Sequence, residues 1–175
     1  SLMPEKLIVV FTPNKQSLTG VLGLVEHATT YRKESDDLRP LVVFPLPSRI
    51  ENAELALHKD WRFGNRQNKI SGYQIQFEEI MKNVYDLPAI DLTDYFNDIQ
   101  IQHVPRYSYG EEIAVLSDRS EDRLSLYRSY ESFSNLLVKI ESPWEYQSLQ
   151  ISVGGNITEG NIVTGSNNTV NIYIG

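Results

Sequence analysis

The chain has no cysteine at all, so a disulfide framework and thiolate chemistry are both excluded. It has no excess of positive charge. Sixteen Lys and Arg stand against 23 Asp and Glu, for a net charge of −7, the wrong sign for a protein held to nucleic acid by phosphate contacts. It has no apolar run near the 18 or so residues of a membrane span. It also lacks the glycine-rich loop and lysine with which nucleotide-hydrolysing enzymes cradle phosphates. The nearest approach, Gly160 to Ser166, has the glycine spacing but no lysine and no helix after it. Widely spaced His27, His58 and His103 offer no metal-ligand spacing, and the adjacent pairs Glu78-Glu79 and Glu111-Glu112 cannot flank one bond. Asp91, Asp94 and Asp98 share a helical face that reads as solvated.

What is present is an α/β pattern. Leu7–Phe11 (LIVVF) is a continuous, largely β-branched apolar run, the signature of a strand covered on both faces. Thr12-Pro13-Asn14 is a turn. Ser17 is placed to cap a helix whose Leu18, Val21, Leu22 and Val25 form one stripe, with the helix ending near Thr29. A charged connector, Tyr31–Arg39, leads to a second buried strand at Leu41–Phe44, stopped by Pro45 and Pro47. Ala53–Trp61 reads as a helix and Phe63–Tyr73 as a loop. Phe77, Ile80, Met81 and Val84 mark another helix, and Asp91–Asn97 a helical turn or two. Ile99–Val104 is expected to be a third strand. A last helix, capped by Ser120, is expected to bury Leu126, Tyr130, Phe133, Leu137 and Ile140, with Pro143 beyond its end.

Three segments carry a resemblance to a known family. LIVVFTPNKQSLTGVLGLVEHA, LVVFPLPSRIE (Leu41–Glu51) and IQHVPRYSYGEEIAV (Ile101–Val115) resemble, in order, segments of MinD/ParA-like P-loop ATPases. The bacterial branch whose phosphate loop reads Lys-Gly-Gly-Val-Gly-Arg is the most similar. The resemblance spans about Leu7–Ile140 and implies the C-terminal half of such an ATPase, without its Walker A and Walker B motifs. In the family, the ends of the second and third strands border the base and ribose of the nucleotide. The resemblance therefore implies Ser48, Arg49, Pro105 and Tyr107 as residual base-side contacts, and no cofactor unless a partner supplies a P-loop half and its ATP.

The tail differs in kind. From Gly155 it reads GNITE, GNIVT, GSNNT, VNIYI, a pentad repeat rich in turn formers and β-branched residues. Gly165–Asn168 is a turn signal that would fold Val170–Ile174 back on Ile157–Thr164 as a hairpin. Its apolar face, Val170, Ile172 and Ile174, then needs cover from the body or from other copies. Such tails resemble those of bacterial signalling and defence proteins.

The fold expected is thus α/β, a partial three-layer parallel sheet of about three strands with flanking helices, followed by a β-repeat tail. The expected division is residues 1–142 as a truncated MinD/ParA-like domain, 143–150 as a linker and 151–175 as the tail. The expected work is association, with itself or with a partner P-loop or effector protein, in the cytoplasm, with neither nucleic acid nor membrane as partner. The alternative is the C-terminal half of an active ATPase whose P-loop portion is encoded upstream or on a separate chain. In either case the Leu7–Phe11 strand, lacking the neighbour it has in the family, is an open apolar edge expected to be covered.

Overall fold

The computed structural model describes residues 4–36, 39–51, 53–108, 113–118, 125–147, 162–164 and 170–172. It is a mixed α/β fold. A strand β1 (Lys6–Phe11) and a helix α1 (Lys15–Lys33) lead to a strand β2 (Val42–Pro47). Helices α2 (Leu55–Phe63), α3 (Tyr73–Tyr85), α4 (Thr93–Asp98), α5 (Ala114–Ser117) and α6 (Leu126–Lys139) follow. The tail contributes two short segments, β3 (Ile162–Thr164) and β4 (Val170–Ile172), which pair antiparallel. The turn that would join them as a hairpin lies outside the described residues. No helix among the described residues is long and apolar enough to cross a membrane.

β1 and β2 pair in parallel, with Leu7 beside Val43 and Phe11 beside Pro47. Paired residues share a face, so Leu7, Val9, Phe11, Val43, Pro45 and Pro47 lie on one side and Ile8, Val10, Phe44 and Leu46 on the other. The first face carries the aromatic core. Phe11 meets Tyr73 and Phe77 of α3 at 5.3 and 5.2 Å between ring centroids, and Tyr73 meets Phe96 of α4 at 5.1 Å. α1 packs beside α3, burying Leu18 and Val25, with Val21 and Leu22 half-buried. On the second face, α6 buries Phe133 and Leu136. The Lys6 ammonium donates to the Leu137 and Ile140 carbonyls at the end of α6, both at 2.8 Å, and lies 5.5 Å from the Phe44 ring centroid. A cation suits the carbonyl end of a helix, where backbone acceptors are left over.

Several boundaries differ from those read in the sequence. Asn14, not Ser17, caps α1: its side chain accepts the Ser17 N–H at 2.8 Å. The helix runs on to Lys33, because nothing before Glu34 breaks it and Arg32 and Lys33 suit its C-terminal turn. Ser125 caps α6, accepting the Arg128 N–H at 3.2 Å; Ser120 lies outside the described residues. Tyr130 is exposed rather than buried. Of the stretch expected to be a linker, residues 143–147 lie against the body. Trp144 packs on Tyr85 at 4.8 Å, and the Tyr146 hydroxyl donates to Asp98 at 2.6 Å.

The third strand is not formed, and the reason is local. The Val42 N–H donates to the Glu5 carbonyl and the Ser48 N–H to the Phe11 carbonyl, so even-numbered residues of β2 turn their backbone groups toward β1. The odd-numbered ones face outward, where Pro45 and Pro47 have no N–H to give. The prolines do not stop β2, since they fall where β1 asks for no donor, but they leave nothing on which a ladder can grow. Side chains take the ladder's place. The Tyr85 hydroxyl accepts the Val43 N–H and donates to the Leu41 carbonyl, each at 2.9 Å, and the Tyr95 hydroxyl donates to the Pro45 carbonyl at 3.0 Å. Segment 99–103 touches only the last turn of this edge. The Ile101 N–H reaches the Pro47 carbonyl, and Ile50 and Gln102 form one isolated parallel bridge.

One glycine is required by close approach. Gly72 has φ of +57°, and a Cβ there would stand 2.6 Å from the Gly64 nitrogen, so the α2–α3 connection closes only around a bare backbone.

Tyr85→Phe keeps the ring against Trp144 but strands the Val43 N–H and the Leu41 carbonyl. Urea unfolding is expected to show a loss of roughly 1–3 kcal/mol, against less than about 0.5 kcal/mol for the exposed Tyr130→Phe. Equal midpoints for the two variants would refute this role for the hydroxyl.

Candidate functional site

In open α/β sheets, ligands bind outside the carboxyl ends of the strands. Here that end holds a small cleft of about 110 Å³. Pro13, which follows β1, forms one wall. Arg49, Ile50 and Glu51, which follow β2, form the floor and rim. Glu54, His58 and Trp61 line the side contributed by α2, spaced i, i+4 and i+7 on one face of the helix and its cap. Glu51 also contacts the His103 ring, which ties segment 99–103 to the cleft.

Each wall has a local cause. After β1, Asn14 caps α1 and the Ser17 hydroxyl accepts the Thr12 N–H at 3.1 Å, which fixes Pro13 between them. After β2, Arg49 takes a left-handed conformation with φ of 60°, uncommon for a residue with a side chain. That reversal lets Ile50 turn inward to bridge Gln102 while Arg49 stays exposed.

One helical turn beyond His58 on α2 lies a buried cation, Arg62. The Arg62 guanidinium donates to Gln74 at 2.8 Å, to Asn97 at 2.9 Å and to the Thr93 carbonyl at 2.8 Å. Gln74 passes the interaction on to Glu78 at 2.8 Å. Burial lowers the Arg62 pKa, against the opposing pull of Tyr73, Glu78 and Asp91. His58 stands above this group, half-buried, with Nε2 3.1 Å from the Tyr73 hydroxyl. Burial, and then the Arg62 charge, lower the His58 pKa from 6.5. Burial also drives the Tyr73 pKa well above the ordinary tyrosine value, so its proton stays on. A neutral His58 accepting from Tyr73 satisfies both groups.

Of the four residues expected as base-side contacts, Arg49 lines the cleft and Ser48 precedes it, half-buried, with its N–H donated to Phe11. Pro105 and Tyr107 are not among the lining residues. They sit in a 3-10 turn, Pro105–Ser108, where Pro105 is exposed and Tyr107 packs on the core under the Arg106 guanidinium at 4.8 Å. Sequence reading passed over Glu51, Glu54, His58 and Trp61 as site residues. The helical spacing of the last three was a usable signal. The cleft thus offers a guanidinium, two carboxylates, a largely neutral imidazole and an indole to a group of few atoms. No family model, no curated protein and no solved structure matches this chain.

The His58 environment sets a pH dependence. A histidine with a depressed folded pKa takes up its proton more readily once unfolded. Its contribution to stability is therefore complete above pH 6.5 and is lost as pH falls through the folded value. Thermal melts between pH 7.5 and 5 (about the histidine range) are expected to show a smaller fall in Tm for His58→Gln than for the parent chain. Parallel curves would remove His58 as the cause.

Proposed function

We propose that this chain is a non-catalytic interaction module, derived from the C-terminal half of a MinD/ParA-like ATPase, that works by associating through the outer edge of β1. One observation carries the reading. Glu5 and Phe11 turn their carbonyls to β2, so Lys6, Ile8 and Val10 turn their backbone groups the other way, and among the described residues no strand meets them. Ile8 and Val10 are 41% and 56% exposed. An apolar edge of this kind is a template for another strand, and natural proteins rarely leave one open without a use for it. In the tail, β3 and β4 pair antiparallel and add a second β surface for assembly. Of Ser48, Arg49, Pro105 and Tyr107, only Arg49 lines the cleft, a base-side contact too sparse to hold a nucleotide without a phosphate cradle.

The cleft beside Arg49 favours a second reading, in which a separate P-loop polypeptide brings ATP to this face and completes an ATPase. In both readings this chain alone hydrolyses no nucleoside triphosphate, because none of its sequence supplies the glycines and lysine of a phosphate loop.

A phosphate-release assay on the purified chain with ATP or GTP and Mg²⁺ is expected to stay at the no-protein background. Turnover above background that disappears in Arg49→Ala would overturn the non-catalytic reading.

A further inference from the structure

We propose that the occupant of the β1 edge is a second copy of this chain, its own β1 paired antiparallel about a two-fold axis at Ile8. The inference rests on the reading of β1 as an association edge and names the partner. The backbone groups that point outward belong to Lys6, Ile8 and Val10, evenly placed about Ile8. With Ile8 opposite Ile8 of the other copy, Lys6 falls opposite Val10 and Val10 opposite Lys6. Every outward N–H and C=O then finds a partner, and the two isoleucines stack across the seam. A patch that complements itself in this way is what a closed two-fold interface requires.

The helix beside the edge extends the patch. The Thr12 N–H continues the outward series, and it is bonded by Ser17, so the Ser17 side of α1 flanks the open edge. Val21, Leu24, Ala28 and Tyr31 lie on that same side at alternating steps of four and three residues, the spacing of a helical seam. Leu24 and Tyr31 are 53% and 62% exposed. Strand and helix together present one apolar strip, which the two-fold axis sets against its own copy.

The other end of the sheet decides between a closed pair and a filament. A head-to-tail array would need β1 of one copy on β2 of the next. The outward side of β2 lacks donors at Pro45 and Pro47, the Val43 N–H is taken by Tyr85, and the Pro45 and Pro47 carbonyls are taken by Tyr95 and Ile101. Between the edges of this sheet, β1 on β1 remains. The result is a four-stranded sheet ordered β2-β1-β1-β2, where a lone two-stranded sheet is marginal in water.

Light scattering of the full chain is expected to give twice its 20.0 kDa. Hydrogen exchange is expected to show the Ile8 and Val10 amides protected at that concentration and released on dilution. Val10→Pro removes an outward N–H without touching the β1–β2 bonds. It is expected to halve the particle mass while leaving the circular dichroism spectrum unchanged. Leu24→Asp, which leaves the strand intact, is expected to weaken the pair by roughly tenfold or more. A single-chain mass for the parent protein overturns the proposal, as does an oligomer whose Ile8 and Val10 amides exchange freely or that survives both substitutions. Those outcomes leave the non-catalytic reading standing. Nucleotide turnover would sink that reading whatever the mass.

Discussion

The fold depends on how one strand's backbone is satisfied where, among the described residues, no third strand joins its sheet. β2 is buried on its faces and flanked by protein along its outer edge, so its outward N–H and C=O groups must be bonded or must be absent. Both solutions are used. Prolines at 45 and 47 delete two donors, and two tyrosine hydroxyls and one distant amide serve the Val43 N–H and the Leu41, Pro45 and Pro47 carbonyls. Burial pushes the Tyr85 pKa up to about 12, so the proton it donates to Leu41 is held through the physiological range. Because α3 carries Tyr85 and α4 is entered just before Tyr95, closing this edge also places those helices over the aromatic core.

A second constraint is the buried Arg62. A guanidinium removed from water needs its donors filled, and two helices supply the acceptors: Gln74 from α3, and Thr93 and Asn97 from α4. No carboxylate among the described residues touches it directly. Glu78 acts through Gln74 and also accepts the Leu92 N–H at 2.9 Å, which anchors the start of α4. The charge that locks α2, α3 and α4 together also sits under His58, so the stability network and the cleft share an electrostatic field.

The two edges of the sheet are therefore opposites. One is closed by prolines and hydroxyls; the other offers unpaired backbone and apolar side chains among the described residues. That asymmetry is what turns an α/β body without phosphate-binding machinery into a candidate for association. Among the described residues it leaves the β1 side as the one where this sheet could be extended. The cleft at the carboxyl end is independent of both edges, since Pro13, Arg49 and the α2 face build it.

Local chemistry determined much of this protein. The β1 run, the Leu18 and Val25 stripe of α1, the Phe77 and Met81 face of α3 and the end of α6 before Pro143 follow from periodicity and breakers within a few residues. So does the absence of a phosphate loop. Tertiary structure decided what depends on distant partners. Ile99–Val104 has the alternation of a strand, yet it forms a single bridge, because a ladder needs donors on the neighbouring chain and Pro45 and Pro47 lack them. Pro45 reads as a strand stop in isolation; which side of a strand a proline faces is fixed only by pairing. Arg62 reads as an exposed helix charge until Gln74, Thr93 and Asn97 are folded around it. His58 and Trp61 were visible at helical spacing, but only the chain reversal at Arg49 brings Glu51 to face them, and a left-handed arginine has no signature in sequence.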